Sequence, residues 1–186
     1  MFYSMGTKEN PDFFDCRCDD DHFVIEITDQ MKNQAKQLKQ SGNEVDKTDS
    51  RSSGRSQEDS FVGKLAEVAV QHFFRNHSVS AAFNDGWKYD MDIGGQTAEI
   101  KARDYTQTAA RYCDLLVRDR EDTSWSPSDV DIIIQVMVNG RDSDKAYITG
   151  FAYGNYAAEC GFFEKAKTHR TREVWHSKLK PIEYLL

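Results

Sequence analysis

Trp87-Lys88-Tyr89-Asp90-Met91-Asp92-Ile93, then Gly94-Gly95, then Gln96-Thr97-Ala98-Glu99-Ile100-Lys101 is the stretch on which the fold turns. Two runs of alternating polar and apolar residues flank a glycine pair, the pattern of a β-hairpin closed by a two-residue turn. With that turn, Ile93 faces Gln96, Asp92 faces Thr97, Met91 faces Ala98 and Asp90 faces Glu99. Side chains alternate faces along a strand. One face therefore carries Lys88, Asp90, Asp92, Thr97, Glu99 and Lys101, and the other Tyr89, Met91, Ile93, Ala98 and Ile100, a packing face.

Two carboxylates placed opposite each other, about 5 Å apart at Cβ, repel and destabilise an ordinary sheet. A divalent cation between Asp90 and Glu99 would turn that repulsion into ligation, and hard oxygen donors suit Mg²⁺ or Mn²⁺ better than zinc. Lys101 follows Glu99 by two residues on the same face, where its ammonium could orient a water or stabilise charge developing on a phosphate. Asp92 shares the face and is a further metal candidate, but it faces Thr97, so Asp90 is preferred.

N-terminal to the hairpin, a helix is expected from about Asp59 to Arg75, capped by Asp59 or Ser60. Phe61, Val62, Leu65, Ala66, Ala69, Val70 and Phe73 form its wide apolar face, with Glu67 the acid inside it. Before it, residues 41–60 hold many Ser, Asp and Gly and read as a long mobile loop. The first strand is expected at His22–Ile27, followed by a helix through Met31, Ala35 and Leu38 that ends near Gly42 and is capped by Thr28 or Asp29. C-terminal to the hairpin, Val130–Val138 and Ala146–Ala152 read as strands, and Tyr112–Val117 as a strand with a short helix as the alternative. A short helix then follows Tyr153, with a last extended segment ending at Leu179–Ile182. The whole reads as one α/β domain, with a core at about 59–152 and residues 153–186 packed on it as a C-terminal extension.

The chain has 186 residues, 39% hydrophobic and 30% charged, with mean hydropathy -0.71. That is the balance of a soluble protein, and no run approaches the roughly 18 apolar residues of a membrane span. The start, Met1-Phe2-Tyr3-Ser4-Met5-Gly6, lacks the basic and apolar parts of a signal peptide, so an intracellular, cytoplasmic protein is expected. Cys16, Cys18, Cys113 and Cys160 are too few and too irregular for a disulfide scaffold. Cys16-x-Cys18 with His22 lacks a fourth zinc ligand, and the four cysteines are better read as incidental thiols than as an iron–sulfur set.

A net charge of -7 argues, taken alone, against a nucleic-acid partner. Its distribution weakens that argument. Met1 to Gln30 holds 8 acids against 2 bases, and Glu164 to Lys180 holds 2 acids against 6. Arg51, Arg55, Arg103, Arg170 and Arg172 are candidates for backbone contacts. Tyr153, Tyr156, Phe162 and Phe163 read as core rings, with base stacking as the alternative. No phosphate loop of the P-loop type and no nucleophile elbow are present.

Asp90, Glu99-Ile100-Lys101 and the preceding Gly63-Lys64-Leu65-Ala66-Glu67 resemble the PD-(D/E)xK, or restriction-endonuclease-like, nuclease superfamily. The likeness spans about Phe61 to Ala152 in the order helix, hairpin, strands. Gly150-Phe151-Ala152 and the tail Leu179 to Ile182 resemble its small phage, archaeal and bacterial members. The resemblance implies a central mixed β-sheet flanked by helices and a Mg²⁺- or Mn²⁺-dependent endonuclease acting on DNA. In it Asp90 and Glu99 bind metal, Lys101 is catalytic, and Glu67 assists the metal or its water. Gln135 is similar to a polar residue that many members place beside the site. No proline precedes Asp90, a departure common in the family. The resemblance leaves a homodimer open. It also leaves open a nuclease-fold protein without activity that binds DNA or regulates a partner protein.

Overall fold

The computed structural model describes residues 8–9, 22–42, 54–84, 86, 88–104, 114–118, 125–138, 140–162 and 171–186. It is an α/β structure built on one mixed sheet. The strands are β1 (Lys8–Glu9), β2 (His22–Glu26), β3 (Ala81–Phe83), β4 (Met91–Ile93), β5 (Gln96–Asp104), β7 (Ile132–Val138) and β8 (Lys145–Tyr153), in the order β1-β2-β8-β7-β5-β4-β3. A second, two-stranded sheet pairs β6 (Leu115–Arg118) with β9 (Thr171–Val174). All neighbours run antiparallel except β5 and β7, which are parallel and so require a crossover between them.

The hairpin adopts the expected register, with Met91 opposite Ala98, Asp92 opposite Thr97 and Ile93 opposite Gln96. Gly94 and Gly95 both have positive φ, 58° and 88°, which a primed two-residue turn demands. Met91, Ile93, Ala98 and Ile100 are buried against α2 (Gly54–Asn76). That helix is apolar nearly all round, with Val62, Leu65, Ala66, Val68, Ala69, Val70 and Phe74 all buried. The sheet lies on one side of it and α1 (Asp29–Gly42) on another. A helix enclosed in this way has little use for a polar stripe. Thr28 caps α1, its hydroxyl accepting from the Met31 amide at 3.2 Å. The opposite face of the sheet buries Ile133 and Ala152 with Leu115, Val117, Trp125, Val130, Val174 and Ala157 of the short helix α3 (Gly154–Glu159).

Several expectations need correction. Helix α2 begins at Gly54, five residues before Asp59, so the long loop expected over residues 41–60 does not extend that far. The polar residues 54–60 add turns to a helix already nucleated by its buried part, and extension is cheap compared with nucleation. Ala81–Phe83 form strand β3, hydrogen-bonded to β4, an element that the sequence reading leaves unassigned. The C-terminal segment is not extended throughout. Two 3-10 turns, His176–Lys178 and Ile182–Leu185, bracket a short bridge at Lys180. The rings of Tyr153, Tyr156 and Phe162 are exposed rather than in the core. Phe163 lies outside the described residues, as do Cys16, Cys18 and Cys113. Cys160 is a half-buried free thiol. No helix among the described residues is long and apolar enough to cross a membrane.

The Gly150 to Ala152 stretch and the C-terminal tail form one unit. Phe151 and Lys180 exchange main-chain hydrogen bonds, 3.0 Å from the Phe151 amide and 2.7 Å from the Lys180 amide. The close approach requires glycine at position 150, whose φ is 141° and where a Cβ would stand 2.8 Å from the Lys180 carbonyl oxygen. Beside it, the β7–β8 ladder shifts register between Gln135 and Val136.

Candidate active site

The site forms where β4 ends and β5 runs on. Strand β4 covers only Gln96 to Ala98 of β5, so Glu99 to Asp104 have β7 on one side and no β4 pairing on the other. Asp90 does not continue the ladder opposite Glu99, as the hairpin count expects. Its amide donates to the Ala98 carbonyl at 3.0 Å, and its carboxylate accepts from the Ile100 amide at 2.8 Å. The physical reason is the exposed edge. Once β4 leaves, the Ile100 N–H has lost its ladder partner, and a short carboxylate side chain satisfies it. Asp92 stays in the strand, where its carboxylate accepts from the Tyr89 hydroxyl at 3.4 Å. Its neighbour Thr97 is tied to Asp131, through the amide at 2.8 Å and the hydroxyl at 2.9 Å.

Helix α2 brings Glu67 to this notch. The Glu67 carboxyl is buried and pushed up to about 7, first by burial and then by the negative charge of Asp90, with Glu99 contributing less. Lys64, one turn earlier, opposes that rise with bonds to both carboxylate oxygens, at 2.8 and 2.9 Å. Burial pulls the Lys64 ammonium down, but Glu67, with Asp90 and Glu99 further off, outweighs it and the net shift is upward. Sequence reasoning quoted Lys64 without giving it a role. Its spacing of three residues from Glu67 on a helix was the available signal.

Lys101 forms an ion pair with Glu99, and its ammonium lies 5.6 Å from the ring centre of the buried Trp125. Trp125 is fixed in turn by its indole N–H, which donates to the Lys88 carbonyl at 2.8 Å. Gln135 lies directly across from Lys101 on β7 and is fully buried. Its amide donates to the Asp114 carbonyl at 3.3 Å and accepts from the Thr149 hydroxyl at 3.1 Å. Asp114 also receives the Arg103 guanidinium at its carbonyl, 2.9 Å away, and the His176 amide at its carboxylate, 2.7 Å away.

The structure thus gathers Glu67, Asp90 and Glu99 around two lysines and leaves Asp92 on a separate hydrogen bond. Among the described residues, no three His, Cys, Asp or Glu side chains form a group able to hold a metal ion. Two of the five arginine candidates, Arg103 and Arg172, have described side chains, and both are engaged within the protein. Arg103 serves the main chain of Asp114, and burial lowers its guanidinium against the pull of Asp114 and Glu173. Arg172 donates to the Cys160 carbonyl at 3.0 Å and lies 4.5 Å from the centre of the Phe162 ring. Arg51 and Arg170 lie outside the described residues, as does the side chain of Arg55, whose backbone belongs to α2. No family model, no curated protein and no solved structure matches this chain.

Proposed function

We propose that this chain is a restriction-endonuclease-like, Mg²⁺- or Mn²⁺-dependent deoxyribonuclease of the PD-(D/E)xK type, with Glu67, Asp90, Glu99 and Lys101 as its site. One observation carries the reading. Glu67 of α2, buried and held by Lys64 at 2.8 and 2.9 Å, is pushed up to about 7 by burial first and by Asp90 second, while Asp90 caps the Ile100 amide where β5 outruns β4. Three acids assembled at a strand end cost stability, and a fold keeps such an arrangement where a cation or a proton is to be handled.

Glu67, Asp90 and Glu99 each offer the hard oxygens that Mg²⁺ and Mn²⁺ take, and the three would have to draw together to share one ion, since they do not stand as a ready ligand group. Glu67 and Glu99 are each occupied by a lysine, so ligation would displace Lys64 and Lys101 from them. A bound divalent cation supplies Lewis-acid polarisation of the phosphate and acidifies a water. The chain's own residues do the rest. Lys101, released from Glu99, holds the attacking water or the charge on the phosphate. Glu67 would assist the metal or the water bound to it. Buried Gln135 and Trp125 fix the walls beside Lys101.

A second reading has its own observation. The Lys64–Glu67 and Lys101–Glu99 pairs neutralise two of the three acids without metal, as suits a nuclease fold that only binds DNA or a partner protein. Calorimetry with Mn²⁺ on wild type and Glu99→Ala separates the two, alongside incubation of wild type and Lys101→Ala with labelled duplex, flap, junction and single-stranded DNA. Mn²⁺ binding lost in Glu99→Ala, with cleavage lost at least a hundredfold in Lys101→Ala, supports hydrolysis. Equal cleavage by both proteins refutes the site, and no Mn²⁺ binding leaves the binder ahead.

A further inference from the structure

Trp125 touches both halves of the candidate site. Its indole N–H donates to the Lys88 carbonyl at 2.8 Å, two residues before Asp90. Its ring faces the Lys101 ammonium, 5.6 Å from ring centre to nitrogen. The segment it grips is fixed one carbonyl at a time. Asn84 donates through its side-chain amide to the Tyr89 carbonyl at 3.1 Å and through its main-chain amide to the Asp90 carbonyl at 3.0 Å. Trp125 supplies the Lys88 link in that series. It also stands on a firm base. The next residue, Ser126, opens the 3-10 turn Pro127–Asp129 in a capping box, its amide donating to the Asp129 carboxylate at 2.7 Å. Asp131, just beyond that turn, is bonded to Thr97 of the hairpin.

Burial alone does not require this side chain. Phe or Leu would fill the same apolar cluster of Leu115, Val117, Val130 and Val174. An indole adds an N–H, which a buried Trp places on an acceptor, and the ring face most favourable to a cation. Here both features are used, one on each half of the site. We propose that Trp125 is a positioning residue that couples Asp90 to Lys101. Its N–H fixes the main chain that carries the acid, and its ring holds the ammonium when Glu99 gives it up. The inference rests on the reading of Asp90 and Lys101 as residues of a hydrolytic site. A lysine held by Glu99 alone would swing away whenever that carboxylate changed partner, because its stem is flexible. A neutral ring retains the ammonium without adding another negative charge.

The coupling is read by NMR on metal-free protein, independently of cleavage. The ring current should shift the Lys101 Hε protons upfield. That shift should persist in Glu99→Ala, survive in Trp125→Phe and vanish in Trp125→Leu. Trp125→Phe keeps a ring but lacks the N–H, so the Ile100 amide bonded to Asp90 should exchange severalfold faster while amides of the β2–β8 ladder keep their wild-type rates. Lys101→Met should move the Trp125 indole resonance, a readout that remains if both Trp125 variants fail to fold. No upfield shift in wild type, its loss in Glu99→Ala, an unmoved indole in Lys101→Met or an unchanged Ile100 rate in Trp125→Phe overturns the proposal. So does faster exchange at all these amides alike, the mark of a purely structural role. In the cleavage assay Trp125→Phe should lower kcat about tenfold with KM unchanged, and an unmoved kcat in an active enzyme also overturns the proposal. A wild type that cuts no DNA refutes the nuclease reading, while the resonances still decide for or against the coupling.

Discussion

The carboxylate of Asp90 accepts the amide hydrogen of Ile100 at 2.8 Å, at the point where β5 outruns its hairpin partner. The acid therefore has two tasks, edge cap and charge. Asp90→Asn keeps an oxygen acceptor for Ile100 and removes the charge, whereas Asp90→Ala removes both. Asn should leave stability nearly unchanged, while Ala should cost about 1–2 kcal/mol through the unsatisfied amide. Urea unfolding of both variants checks this. Equal losses would show that the hydrogen bond does not matter.

Glu67 gives the protein a characteristic pH response. Its carboxyl stands at about 7 in the folded chain against 4.5 for the ordinary group, so between those values the folded state holds a proton that the unfolded state has lost. Stability contributed at this position is full below pH 4.5, falls as pH rises, and levels off above 7. The fall is of order 3 kcal/mol. Glu67→Gln should remove that slope, as measured by denaturant unfolding across this range. A wild-type curve parallel to that of the variant would show that Glu67 titrates normally.

Gly154 opens α3 under the 3-10 turn Pro127–Asp129, where an added Cβ would stand 2.0 Å from the Val130 carbonyl oxygen and 2.3 Å from that of Pro127. Both neighbours are main chain and cannot rotate away. Gly154→Ala should lower stability by about 3 kcal/mol, seen as a lower urea midpoint with an unchanged slope. A midpoint within error of wild type would mean that the turn shifts freely.

The sequence made the hairpin legible down to its register because a glycine pair and strict alternation are local signals. The Thr28 cap and strands β7 and β8 were legible for the same reason. What escaped depended on distant partners. Strand β9 exists because it pairs with β6 more than fifty residues earlier, and residues 171–174 show no alternation that announces it. Asp90 is preferred to Asp92 because the hairpin count sets it opposite Glu99, and its departure from the ladder is invisible in the sequence. Facing residues can be counted, whereas the point at which β4 ends cannot. Lys64 escaped because its role depends on Glu67 being buried, which periodicity alone does not weigh.

Gly150 holds the C-terminal tail against β8. In Gly150→Ala, the Cβ meets the Lys180 carbonyl oxygen at 2.8 Å and the Leu179 Cβ at 3.0 Å, and the φ of 141° is strained for any side chain. The amides of Phe151 and Lys180 should then lose hydrogen-exchange protection together, since each donates to the other's carbonyl. Protection retained at both would show that the tail is held from elsewhere.

The single parallel pairing in the sheet sets an order of assembly. Hairpin β4–β5 closes over two residues, and helix α2 needs only its own turns. Lys101 meets Gln135 only after the chain between β5 and β7 has closed on itself, and that closure costs entropy before any contact repays it. A nascent chain therefore holds its clustered carboxylates before it holds the buried wall beside Lys101. Refolding followed at the two places should show Asp90–Ile100 protection preceding the quenching of Trp125, so the charged half of the cluster exists for a time without the half that orients it.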